Sequence, residues 1–108
     1  MHCMVVWGSA IAGIPLTPQE HAEFEKVLAG HAWVRVFPGA FVIALIYEGE
    51  RLELSKELSR VAQELNGGEP TGSRVRVLIS PPIPKGSGTY AGWAAKEVWP
   101  ELNKRSIE

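Results

Sequence analysis

The sequence predicts an α+β domain whose elements run β-α-β-β-α-β, giving a four-stranded antiparallel sheet with two helices on one face. Three observations predict it. Four short runs rich in β-branched and aromatic residues alternate with two stretches whose apolar residues recur at helical spacing. Pro38-Gly39, between the second and third runs, suits the centre of a type II turn and so joins those strands as a hairpin. The remaining connections then leave few arrangements that neither cross nor thread.

Met4 to Trp7 reads as a buried first strand that ends at Gly8-Ser9. After a loop carrying Gly13 and Pro15, Thr17-Pro18-Gln19-Glu20 combines an N-cap threonine, proline at the first helical position and glutamate at the third, which is a capping box. Phe24, Val27 and Leu28 form the apolar stripe of that helix, and Gly30 is expected to stop it in the left-handed conformation. Ala32 to Phe37 and Ala40 to Tyr47 are the second and third strands. From Glu50 to Leu65, the residues Leu54, Leu58, Val61, Ala62 and Leu65 mark a second helix, ended by Asn66-Gly67-Gly68. The mixed charges on its other positions read as a solvated face. Arg74 to Ile79 alternates as a half-buried fourth strand, and Pro81-Pro82-Ile83-Pro84 ends it because proline cannot continue a ladder.

This order is the ferredoxin-like βαββαβ architecture, with strand order 4-1-3-2. Residues 1–80 form the core. Residues 81–108 form a Pro/Gly linker and an aromatic C-terminal extension with Tyr90, Trp93 and Trp99, expected to pack on the same domain. The 108 residues suffice for one domain and leave no room for a second.

The balance of charge narrows the function classes. Eleven Lys and Arg against twelve acidic residues give a net charge of −1, so no overall cationic grip on nucleic acid is implied. All the acids are Glu; Asp is missing, which weakens magnesium sites and triads built on a short carboxylate. One cysteine, Cys3, excludes an internal disulfide and a thiolate zinc cluster within the chain. No positively charged segment precedes the apolar N-terminal stretch, and no apolar run reaches the length of a membrane span, so a cytoplasmic location is expected.

If Val34 and Val36 point to the helices, alternation puts Trp33, Arg35 and Phe37 on the open sheet face. On the fourth strand Val75, Val77 and Ile79 become core, leaving Arg74, Arg76 and Leu78 outside. Arginine interleaved with aromatics is a surface on which bases stack and phosphates are held. Trp33, Arg35, Arg74, Arg76 and Lys85 are therefore the candidate residues for nucleic acid or another partner. The first and third strands are apolar on both faces and call for a cover: the aromatic extension, a second copy of the sheet, or both. Phe37, Trp93 and Trp99 are the candidate interface residues of a homodimer.

The RNA-recognition module shares this topology, but at its third-strand motif stands Phe37-Pro38-Gly39-Ala40-Phe41-Val42-Ile43-Ala44, which lacks the basic residue and the last aromatic. The chain more closely resembles the small ferredoxin-like proteins grouped with the CRISPR adaptation nuclease subunit and its SinR-like relatives. That resemblance covers most of the chain. It rests on the short first strand, the Trp33-containing second strand hairpinned to an apolar third, the Glu/Lys/Arg/Leu helix, the fourth strand, and Gly92-Trp93 followed by Trp99. It implies a dimeric scaffold. In the family an aspartate at the end of the first strand would hold a metal across the dimer, whereas Val5-Val6-Trp7-Gly8-Ser9 here carries no acid.

The histidines His2, His21 and His31 show no metal-ligand spacing, although His21 and His31 lie close enough in sequence to approach each other. Cys3 reads as a small hydrophobe of the first strand. Lys85-Gly86-Ser87-Gly88-Thr89 lacks the spacing of a phosphate loop. The sequence thus points to a non-catalytic, self-associating binding or adaptor module without cofactor or metal, with nucleic acid the first partner class to test. Two alternatives remain: a divergent metal-dependent nuclease using Glu48 and Glu50, and a small-molecule sensor with its ligand at the loop from Gly8 to Gly13.

Overall fold

The computed structural model describes residues 1–68 and 74–84. Its elements are β1 (His2–Ser9), α1 (Pro18–Leu28), β2 (Ala32–Phe37), β3 (Ala40–Ala44), α2 (Glu50–Leu65) and β4 (Val75–Ile79). The strands form one antiparallel sheet in the order β2-β3-β1-β4, which is the ferredoxin-like α+β arrangement. The aromatic extension of the expected fold lies outside the described residues.

Helix α1 starts where its capping box places it. Thr17 Oγ1 accepts from the Glu20 N–H at 3.1 Å, and the Glu20 carboxylate accepts from the Thr17 N–H at 2.9 Å. It ends differently from expectation. Ala29 is the C-cap in right-handed geometry, and Gly30 does not take positive φ; the His31 N–H instead closes the last turn on Leu28 C=O. The left-handed stop appears on α2. There the Gly68 N–H donates to Gln63 C=O and the Gly67 N–H to Glu64 C=O, a Schellman motif with both glycines at positive φ.

The core lies between the helices and one sheet face. Cys3, Val5 and Trp7 of β1, Phe41 and Ile43 of β3, and Val75 of β4 meet Phe24 and Leu28 of α1 and Leu54, Leu58 and Val61 of α2. Trp7 stacks between Phe24 and Phe41 at ring-centroid distances of 4.9 and 4.8 Å. Each such contact adds about 1 kcal/mol to the burial of its rings. The Trp7 indole N–H, which would otherwise be stranded, donates to His21 Nδ1 at 2.9 Å.

The hairpin between β2 and β3 turns at Pro38-Gly39, with Gly39 at φ 81°, as a type II turn requires. A Cβ at Gly39 would stand 2.6 Å from the Trp7 carbonyl oxygen, so the glycine serves close approach as well as the turn. Strand β3 stops at Ala44, short of the expected Tyr47, because Glu50 captures the chain just beyond it. Beyond β4 the proline segment leaves the ladder and returns to β1 once, where His2 and Ile83 exchange hydrogen bonds of 2.9 and 2.7 Å. Among the described residues no helix is long and apolar enough to cross a membrane.

Candidate partner-binding surface

The register decides which side chains share the helix-free face. Val6 opposes Leu78, and Ala40 opposes Val6 on its other side; all three lie on the face away from Cys3, Val5 and Trp7. His2, Val42 and Ala44 share this face and are buried, although they lie outside the helix-side core. Val6 and Leu78 are open, with 41% and 73% of their surface exposed. The helix-free face is therefore closed at the His2 end of β1 and open at the Val6 end, where Arg76 stands exposed next to Leu78 on β4.

The proposed partner residues do not all lie on that face as expected. Trp33 pairs with Ile43 and Arg35 with Phe41, so both belong to the helix side of the sheet, opposite to the sequence-based placement. Trp33 meets Phe41 edge to face at 5.7 Å. The Arg35 guanidinium sits 5.6 Å from the Phe41 ring and donates to Glu25 of α1 at 2.9 Å. It is Val34, opposite Val42, that faces away from the helices. A bulge between Arg35 and Phe37 then reverses the alternation, and Phe37, opposite Ala40, returns to the helix-free side with 63% of its surface exposed. Strict alternation fails at this bulge.

Arg74 is likewise withdrawn from the open face. It donates to Pro15 C=O and pairs with Glu20, the same carboxylate that caps α1. The Arg74 guanidinium and the Thr17 N–H hold the Glu20 carboxyl below its usual pKa. Arg76 has no ionic partner among the described residues. Lys85, Trp93 and Trp99 lie outside the described residues, as does the Lys85 to Thr89 loop.

His21, His31, Glu50, Cys3 and Arg51 are engaged in holding the fold. His21 accepts from Trp7, and His31 Nδ1 lies 2.6 Å from Glu50 Oε2, so these two histidines do not approach each other. Glu50 is 1% exposed, and its second oxygen accepts from the Ile46 N–H at 2.6 Å. Cys3 is fully buried, and that burial pushes its thiol pKa up to about 11 against the opposing pull of Arg51. Arg51 itself donates to Ser80 C=O at 2.7 Å and borders a cleft of about 580 Å³ with Leu45, Tyr47 and Pro82. Among the described residues no three His, Cys, Asp or Glu side chains cluster to hold a metal.

One residue of this surface escaped sequence reasoning. The Asn66 side-chain amide donates to Val75 C=O at 2.8 Å, and its oxygen accepts from the Val75 N–H at 3.0 Å. Asn66 reads locally as a helix terminator, and no pattern in the sequence signals its contact with β4. Glu50 did carry a signal. It stands four residues before Leu54, on the same stripe as Leu58 and Val61, where a carboxylate needs a buried partner. Compared with protein-family models, with curated proteins and with solved structures, the chain finds no match.

Proposed function

We propose that this chain is a non-catalytic, self-associating binding or adaptor module, with nucleic acid the partner class to test. The observation that carries this reading is the exposed Leu78–Val6 pair on neighbouring strands, with Arg76 beside it. An apolar strip beside a cation that has no ionic partner among the described residues suits a contact surface. The engagement of His21, His31, Glu50 and Cys3 in packing and hydrogen bonding supports binding over catalysis. Nucleic acid contact would rest on Arg76, because Arg35 and Arg74 are ion-paired to Glu25 and Glu20.

Light scattering at micromolar concentration tests self-association, with twice the chain mass as the expected result. A clean monomer at high concentration would overturn it. Titration with single-stranded and duplex oligonucleotides over a range of salt tests the partner. Binding should weaken steeply with salt, and Arg76→Ala should flatten the slope by about one. Absence of binding at low salt, or an unchanged slope in the variant, removes nucleic acid as the partner.

A further inference from the structure

We infer that two copies of this chain join edge to edge through β4, in a single register centred on Leu78, to form a continuous sheet. This inference rests on the self-association proposed above and names its surface.

Strand β4 is an edge of the sheet. In an antiparallel ladder alternate residues bond to the neighbouring strand and the others point away. The Ala10 N–H donates to Arg74 C=O, and the Ser80 N–H to Met4 C=O, while Arg76 opposes Gly8 and Leu78 opposes Val6. The even-numbered residues of β4 thus bond to β1, and the backbone groups of Val75, Val77 and Ile79 point outward. Asn66 occupies both groups of Val75. The next outward position is Pro81, which has no N–H. Between these two stops, Val77 and Ile79 each present a donor and an acceptor with no hydrogen-bond partner among the described residues.

That window is complementary to itself. With a two-fold axis at Leu78, Val77 opposes Ile79 of the second copy and Ile79 opposes its Val77, and each pair exchanges both hydrogen bonds. Shifting the axis to Val77 would bring Ile79 against Val75, whose groups Asn66 already holds. Shifting it to Ile79 would bring Val77 against Pro81. Only the Leu78 axis satisfies both Val77 and Ile79, and it also places the most exposed large apolar side chain among the described residues against its own copy, with Val6 beside it. Arg76 then faces Ser80 of the second copy, so like charges do not meet across the strands. A second copy is favoured over an unrelated extended peptide because the two ends of the window, one sealed by Asn66 and one by proline, match each other under the two-fold.

Cysteine scanning of the full chain tests the register. Across the axis the Leu78 residues form a non-hydrogen-bonded pair with Cα atoms about 4.5 Å apart, within disulfide range. The Arg76 residues lie about 13 Å apart along the strands. Leu78→Cys should therefore oxidise in air to a linked dimer, while Arg76→Cys and the wild type, whose thiol is the buried Cys3, should not. Leu78→Lys should weaken the dimer at least about tenfold in light scattering, with an unchanged circular dichroism spectrum. A wild-type dimer in which Leu78→Cys fails to link, or links no faster than Arg76→Cys, refutes this register and leaves self-association standing. So does a Leu78→Lys variant of unchanged mass. A wild-type monomer refutes both.

Discussion

Replacing Gly39 by alanine separates two effects that a glycine can have. Its φ of 81° costs an alanine about 1–2 kcal/mol of left-handed strain, and the smaller entropy of the unfolded chain returns about 0.4–1. The new Cβ would also stand 2.6 Å from the Trp7 carbonyl oxygen, where ordinary contact begins near 3.4 Å. Relieving this clash moves the turn away from β1 and strains the 2.8 Å hydrogen bond from the Trp7 N–H to Gly39 C=O, worth about 1 kcal/mol. It also disturbs a tryptophan packed between two phenylalanine rings, for about a further 1–2 kcal/mol. The expected loss is roughly 3 kcal/mol. Gly13 supplies the comparison, since its φ is 80° and a Cβ there meets nothing within 4 Å. Gly13→Ala should cost only the conformational part, about 0.5–1 kcal/mol. Urea unfolding followed by far-ultraviolet circular dichroism measures both, with midpoints compared at a common slope. Equal losses in the two variants would refute the close approach of the hairpin turn to Trp7.

Other perturbations address the polar contacts. His31→Ala should destabilise by about 3 kcal/mol in urea, because among the described residues it leaves the buried Glu50 side chain hydrogen-bonded only to the Ile46 N–H; a loss under about 1 kcal/mol would contradict a structural role for the His31–Glu50 contact. Asn66→Ala should cost about 1–2 kcal/mol and accelerate amide exchange at Val75, and unchanged exchange there would refute the clamp. The Glu20 pKa is lowered in the folded chain, chiefly by the Arg74 hydrogen bond, so at intermediate pH the unfolded state binds more protons. The resulting stability is present in full above the unfolded value of 4.5 and is lost as pH falls through the lower folded one. Urea midpoints from neutral pH to pH 3 should therefore fall less in Glu20→Gln than in the wild type, and parallel curves would refute the linkage.

Elements defined by local chemistry were legible in the sequence. The Thr17 to Glu20 box, the Pro38-Gly39 turn and the span of α2 needed only neighbouring residues, and the strand order followed from the connections. The faces of β2 were not legible. An edge strand is flanked on one side only, and its Trp33 and Arg35 sit at the margin of the helix layer, where a tryptophan stays part-exposed and an arginine reaches Glu25. Hydrophobicity there no longer marks the inner face, and a bulge resets the alternation before Phe37. The contacts of the candidate surface were hidden for a different reason. Arg74 meets Glu20 across 54 residues, and Asn66 grips Val75 by matching one backbone pair, a geometry that leaves no periodic trace.

The bulge in β2 also bears on how far such molecules can polymerise. At the far side of the sheet from β4, the outward row of β2 is interrupted between Arg35 and Phe37, so an incoming strand cannot keep step along it. A protein with two regular edges can add copies without end and grow into a fibre. With one edge broken, the joining proposed at β4 would use up the one regular edge among the described strands, and the assembly would close as a finite object.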